Sequence, residues 1–466
     1  MVKNWISLFL MLFLFTGKTV SLENKPVQST EKVPTGPENP AGEPVTIHND
    51  NSTSPGNTAT EFKFDFGPGN VKPGYTQVLP STLYSDERGY GFEAGSVMTG
   101  TVHAGEDPLL DDFCTSDQPF FFSVAVPEGN YSVSVTLGDK KGESVTTVKA
   151  ELRRLMLEKV ETARNEFVTR TFMVNVRNPH ISTGGEVQLK DREKTMEAWA
   201  WDHRLSLEFN NIRPVVCALE IVKVDKTKTI YLMGDSTVCD QTGEPYTSWG
   251  QMLTRFFDPE VAIANHAESG SSYRASLGRK RLDKVLSLLN PGDYVFMQFG
   301  HNDMKQTGEG DGAFTSYTSE MKLFIAKIRE HGGIPVLLTP MHRRTFKENG
   351  DIRNSHGDYP EAVRRTAKEE KVALIDLHAM SKDFYEALGP DSSVVAFSTE
   401  TDGSHHNNYG AYQLAKCVIE GIKQNNLDIQ DYLVDAPPFD PRLPDSFESF
   451  DIPASPGLPS QKPDGQ

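Results

Sequence analysis

The feature that most restricts the fold is a change of rhythm near residue 226. Upstream of it, apolar residues come in short runs: Phe120–Val126, Tyr131–Leu137, Ser144–Leu157, Phe167–Val176, Arg204–Phe209 and Val215–Val224. In Tyr131-Ser132-Val133-Ser134-Val135-Thr136-Leu137 every second side chain is apolar, which sets one strand face on a core and the other toward water. The preceding Pro127-Glu128-Gly129-Asn130 is a turn signal. Short strands joined by turns predict an all-β sandwich or jelly roll over residues 61–226. Downstream, the apolar runs are unbroken: Thr229–Met233, Val261–Ala264, Tyr294–Phe299, Ile334–Thr339 and Val372–Asp376. Helical stretches such as Ser276–Leu289 and Phe314–His331 lie between them. That alternation predicts a parallel sheet covered on both faces over residues 227–430. Sheets of this kind gather functional groups at the carboxyl ends of their strands.

The length of 466 residues suits two such units, each with its own core. The chain ends differ in composition. Residues 1–21 read as a signal peptide, with Lys3, an apolar run from Trp5 to Phe15, and Thr19-Val20-Ser21 for cleavage. The run is shorter than the roughly 20 residues a stable membrane span needs. Export is therefore expected, to the medium, the periplasm or the cell surface, with no membrane partner after cleavage. Residues 22–60 hold six prolines among small polar residues, and 431–466 form a second Pro-rich, acidic stretch. Both are expected to be spacers without a core. A net charge of −17 argues against a nucleic-acid partner, whose phosphates it would repel. Cys114, Cys217, Cys239 and Cys417 are too few and scattered for a disulfide framework, and no C-x-x-C pair suggests zinc or redox chemistry. A monomer is expected.

The strand ends carry the chemistry. The first leads into Gly234-Asp235-Ser236-Thr237, where a serine on a tight turn can be presented at the rim of the sheet. The same residues also describe an ordinary turn and helix cap. The second strand leads into Asn265-His266-Ala267-Glu268-Ser269-Gly270, and the third into Gly300-His301-Asn302-Asp303. A backbone N–H at Gly270 or a side-chain amide at Asn302 can donate to a developing oxyanion, where one donor is typically worth about 10²–10³ in rate. Near the end of the folded body stands Asp402-Gly403-Ser404-His405-His406. An Asp three residues before a His lets one loop carry an imidazole and the carboxylate that orients it.

In this order and spacing, the four stretches resemble the SGNH (GDSL-type) hydrolase superfamily over roughly residues 228–425. Gly234–Thr237, Glu244-Pro245, Ser248–Gln251, Gln298–Asp303 and the group Gly403, His405, Tyr409 and Gly410–Tyr412 are similar to the rhamnogalacturonan acetylesterases. The resemblance implies a flavodoxin-like three-layer α/β/α hydrolase domain. It implies Ser236 as nucleophile, His405 as base and Asp402 as its orienting partner. The oxyanion hole would combine the backbone N–H groups of Ser236 and Gly270 with the side chain of Asn302. Neither a metal nor an organic cofactor is implied. The expected reaction is deacetylation of pectic rhamnogalacturonan through an acetyl-enzyme. His406 stands where relatives would have an apolar or aromatic residue.

A polymer bearing uronic carboxylates has to be attracted locally by so acidic a protein. Arg274, Arg279, Lys280 and Arg281 follow the second block, and His342-Arg343-Arg344 follows the fourth strand. The first cluster also reads as the solvated start of a helix; the second is the better placed to meet a carboxylate. Upstream, Pro127–Tyr131 and the strand after it resemble galactose-binding or malectin-like sandwiches. Aromatic residues there can stack on sugars or simply fill a core. Gly89-Tyr90-Gly91-Phe92-Glu93-Ala94 imitates a dinucleotide fingerprint without its strand and helix. Two rival readings remain: an SGNH esterase for another polysaccharide such as acetylxylan, and a carbohydrate-binding protein with an inactive hydrolase domain. The complete set Ser236, Gly270, Asn302, Asp402 and His405 speaks against the second.

Overall fold

The computed structural model describes residues 60–456, so the expected signal peptide and the spacer up to residue 59 lie outside the described residues. From Glu61 to Val224 the chain builds two facing sheets and a small third one. The first runs Glu166–Val176, Gly129–Asp139, Ala218–Val224, Glu61–Phe66, Thr76–Val78 in spatial order. The second runs Tyr90–Phe92, Phe120–Ala125, Arg204–Asn210, Ser144–Ala150, Arg154–Thr162. Period-two patterning does what it should: Tyr131, Val133, Val135 and Leu137 are buried while Ser132, Ser134 and Thr136 are only partly so. Phenylalanines lock the two sheets together: Phe66 of the first meets Phe92 and Phe122 of the second edge-on at 5.9 and 5.0 Å between ring centres.

One predicted strand is broken. Ser144–Leu157 is two strands, Ser144–Ala150 and Arg154–Thr162, folded back at Glu151-Leu152-Arg153. The turn contains no Gly, Pro or Asn to announce it, and Glu151 and Arg153 take left-handed backbone at φ 56° and 61°.

The parallel sheet comprises β1 (Lys228–Gly234), β2 (Val261–Asn265), β3 (Tyr294–Gln298), β4 (Ile334–Leu338) and β5 (Ala373–Ile375) in the order β2-β1-β3-β4-β5. All four pairings are parallel. Successive residues of β1 point to opposite layers. Ile230 and Leu232 join α1 (Trp249–Leu253), while Tyr231 and Met233 face α2 (Tyr273–Gly278), α3 (Arg281–Leu288), α4 (Thr318–Glu330) and α5 (Tyr359–Glu370). The layer of α1 also contains α6 (Leu377–Ser392) and α7 (Asn408–Gln424). This is the flavodoxin-like three-layer order, in which connections leave β1 and β3 in opposite directions and open a crevice between their carboxyl ends. The expected helix Ser276–Leu289 is interrupted at Lys280, whose φ is 59°.

The Pro-rich end is corrected by the structure: residues 431–456 are packed, not a spacer. Phe450 meets the rings of Tyr409 and Tyr412, and Ile452 and Ser455 are buried. Lys149 of the sandwich donates to Pro453 O and Ser455 Oγ, both at 2.7 Å. A few widely spaced apolar residues suffice to anchor an irregular segment, and neither composition nor periodicity registers them. The described residues all belong to one compact unit. The four cysteines are free and buried.

Candidate active site

Ser236 stands two residues beyond β1, at the crevice between β1 and β3. The chain can turn there because Gly234 has no side chain: a Cβ would come within 2.6 Å of Gln298 O and of Val238 Cγ2. Asp235 fixes the turn. Its Oδ1 accepts from the Thr237 N–H at 3.0 Å and hydroxyl at 2.8 Å, and its Oδ2 accepts from His301 Nδ1 at 3.2 Å. Burial opposes ionisation, yet His301 and Thr237 hold the Asp235 carboxyl below its usual range. Below the turn, Trp249 Nε1 donates to Gln298 Oε1 at 2.8 Å, and Gln298 Nε2 donates to Thr237 Oγ1 at 2.6 Å.

The loop before α7 brings the other partners. Asp402 Oδ1 accepts from the N–H groups of Ser404 and His405 at 2.9 and 3.0 Å, which curls the loop so that Oδ2 meets His405 Nδ1 at 2.9 Å. The opposite ring nitrogen, Nε2, lies 2.8 Å from Ser236 Oγ. Although burial pushes the Asp402 carboxyl up, the hydrogen bond and charge of His405 and the two N–H donors win, holding it well below the usual range. An imidazole so fixed is placed where it can take a proton from the serine hydroxyl, with the ionised Asp402 beside its other nitrogen to stabilise an imidazolium. His406 is backing for this loop: its Nε2 accepts from Tyr385 OH at 2.6 Å, it packs on Phe397, and burial pushes it down to about 3.

Gly270 and Asn302 fall in neighbouring loops after β2 and β3. Gly270 takes left-handed backbone, φ 74°. Asn302 Nδ2 donates to Ser271 O at 2.9 Å, and Asp303 accepts from the N–H groups of Gly300 (2.9 Å) and Tyr273 (3.0 Å), so the two loops are tied into one rim. Lys305 Nζ reaches Asn302 Oδ1 at 3.2 Å, setting an exposed cation on that rim.

The basic residues expected to be free for substrate have protein partners. Arg274 pairs with Asp311 (2.7 Å) and Glu320 (2.8 Å). Buried His342 stacks on His378 with ring centres 3.6 Å apart, and burial, with Lys382, pushes it down to about 4. Arg343 donates to Ser404 Oγ at 3.1 Å and His301 O at 3.3 Å, while the Arg344 guanidinium donates to Glu400 O and its backbone N–H to Gly403 O at 2.7 Å. Ser404 and Glu400 thus occupy these two arginines, which brace the loop that carries Asp402 and His405. A strand-end position alone does not distinguish an arginine facing solvent from one bracing the next loop.

Sequence reasoning missed the Asp235–His301 pair, the Gln298 brace, Lys305, and Tyr246, whose ring meets His405 edge-on at 5.9 Å. Lys305 was within reach, three residues past Asn302. Among the described residues, no group of three or more His, Cys, Asp or Glu is arranged to hold a metal ion.

The chain resembles known proteins over both of its halves. Residues 232–410 match the GDSL-like lipase/acylhydrolase family, and residues 62–168 match a galactose-binding domain-like family of β-agarases and YxiM-type esterases. A rhamnogalacturonan acetylesterase of Bacillus subtilis, RhgT, is 36% identical over 219 residues, covering 44% of this chain and 94% of that protein. An uncharacterized esterase of the same organism, YxiM, is 27% identical over 375 residues, 78% of this chain and 91% of its own. The crystal structure of YxiM covers 79% of this chain and 99% of its own at 26% identity, with a TM-score of 0.43. The chain belongs to the GDSL-like lipase/acylhydrolase family of carboxylic ester hydrolases and carries a galactose-binding-like domain ahead of its hydrolase domain.

Proposed function

We propose that this protein removes acetyl groups from a pectic polysaccharide, rhamnogalacturonan, through an acetyl-enzyme on Ser236. The observation that carries the reading is the hydrogen-bonded chain from Ser236 Oγ through His405 to Asp402; the named activity of RhgT supports the substrate. His405 takes the hydroxyl proton as Oγ attacks the acetyl carbonyl. The backbone N–H groups of Ser236 and Gly270 and the Asn302 amide receive the oxyanion, with the amide leaving Ser271 O to do so. The sugar oxygen departs with the proton from His405. Water, activated by the same imidazole, then releases acetate and restores Ser236. Lys305 on the rim is the group we assign to a uronic carboxylate. Export, supported by the composition of residues 1–21, would bring the enzyme to such a polymer.

The test is acetate release from acetylated rhamnogalacturonan, with acetylated xylan and para-nitrophenyl acetate alongside. Wild type should prefer the pectic polymer, and Ser236→Ala should lose about 10³-fold or more on all three substrates. A preference for xylan would overturn the substrate, and an active Ser236→Ala would overturn the mechanism.

A further inference from the structure

Hairpin tips ordinarily lie at a surface, where water satisfies their backbone. The tip Glu151-Leu152-Arg153 belongs to the N-terminal sandwich, yet these residues are 6%, 7% and 7% exposed. Left-handed backbone at Glu151 and Arg153 is disfavoured for an L-residue and persists where the surroundings hold it. Here the surroundings are the loops of the hydrolase site. Gln251 Nε2 donates to Leu152 O and Thr254 Oγ1 to Leu155 O, both at 2.7 Å, which clamps the tip between α1 and the residues that follow it.

Arg153 occupies the centre of this clamp. Its Nη1 donates to Tyr246 O at 2.7 Å and Gln241 O at 3.4 Å. Its Nη2 donates to Thr247 Oγ1 at 3.1 Å and Asn408 Oδ1 at 3.4 Å, and pairs with Glu244 Oε1 at 2.5 Å. The segment it grips, residues 241–247, touches both members of the reacting pair. The Gln241 side chain donates to Ser236 O. The Tyr246 ring meets His405, and Thr247 N–H donates to His406 O at 2.8 Å. One planar guanidinium therefore joins the support of the serine to the support of the imidazole.

We infer that Arg153 is a positioning residue for ester hydrolysis, and that the sandwich, through this hairpin, is a working part of the esterase site. The inference rests on Ser236 and His405 being the reacting pair. A lysine cannot substitute fully, since one ammonium cannot span Tyr246 O and Thr247 Oγ1 in the planar geometry of the fork. Loss of the grip lets residues 241–247 drift, and displacements near 1 Å at a reacting pair cost up to about 10²-fold in rate.

The full chain, as Arg153→Met, Arg153→Lys and Thr247→Val, would be assayed on para-nitrophenyl acetate for kcat and KM. Active sites would be counted by titration with a serine-reactive phosphonate, and melting would be followed in parallel. Per titrated site, Arg153→Met should lose about 10- to 100-fold in kcat with KM within about twofold, and Arg153→Lys and Thr247→Val should lose less in the same direction. A purely structural arginine would lower the melting temperature and the number of sites but leave kcat per site at the wild-type value; that result would overturn the inference. Should Arg153→Met fail to fold, wild-type kcat in both other variants would overturn it equally. Ser236→Ala separates the two claims. If it stays active, the reading of the site falls; if it is inactive while the Arg153 and Thr247 variants keep wild-type kcat, only the role of Arg153 falls.

Discussion

The core of the sandwich and the seam where the sandwich meets the hydrolase layers are both buried, and they are made of opposite materials. The core is apolar: Phe66, Phe92, Phe120, Phe122, Val133 and Leu207 are wholly enclosed. The seam is ionic. Arg154 and Arg177 share Asp240 at 3.3 and 3.4 Å, Arg281 joins Glu193 (2.5 Å) to Glu268 (3.1 Å), and Lys284 holds Glu128 at 2.7 Å. Trp201 lies beneath the guanidinium of Arg177 at 4.6 Å. Apolar contact is strong but nearly indifferent to direction. A buried ion pair adds little beyond an apolar pair, yet a displaced partner leaves a charge stranded, so it penalises every placement but one. The core thus supplies stability, and the seam supplies registration of the sandwich against the loops around Ser236.

The contrast can be broken from either side. Phe122→Ala should cost about 3–5 kcal/mol in denaturant unfolding while leaving kcat per folded molecule at the wild-type value. Asp240→Asn, which strands Arg177 and takes one carboxylate from Arg154, should cost about 3 kcal/mol and also lower kcat, because Asp240 lies on the segment between Ser236 and Tyr246. Equal behaviour of the two variants would erase the distinction.

A third environment sharpens it: buried, polar and uncharged. Chiefly through burial, His342 is pushed down to about 4 and His378 to about 3, so both are neutral in the folded protein where the unfolded chain begins to protonate near 6.5. The stabilisation is complete above pH 6.5 and is lost as pH falls toward 4. Unfolding at pH 7 and pH 5 should show wild type losing on the order of 2 kcal/mol more than His342→Gln.

The smallest effect belongs to Glu151. Burial pushes its carboxyl up to about 8, with Arg154 opposing. Raised above the unfolded value, it contributes stability below about pH 4 that is lost as pH rises through 8. Glu151→Gln should lie within about 1 kcal/mol of wild type near pH 5 and pull increasingly ahead of it as pH rises toward 8.

Much of this was legible beforehand. Residue periodicity fixes which face of a strand is buried, so the sandwich and the parallel sheet could be read locally, while Ser236, Asp402 and His405 were marked by the resemblance of four strand-end stretches to a known family. The hairpin turn could not: Glu151-Leu152-Arg153 has no turn residues of its own, and its conformation is imposed by Gln251 and Thr254, about a hundred residues downstream. Arg343 and Arg344 could not be distinguished from substrate ligands for the same reason, their partners lying on another loop. The packed segment up to residue 456 was hidden by its proline content.

The clamped hairpin also sets an order of events. Arg153 is made 93 positions before Tyr246, whose carbonyl it holds, and Lys149 on the same hairpin is made 306 positions before Ser455. A chain growing from its N-terminus therefore presents the sandwich with its basic tip bare before residues 241–247 exist. The tip comes first, and the loop it will hold is laid against a surface already waiting for it.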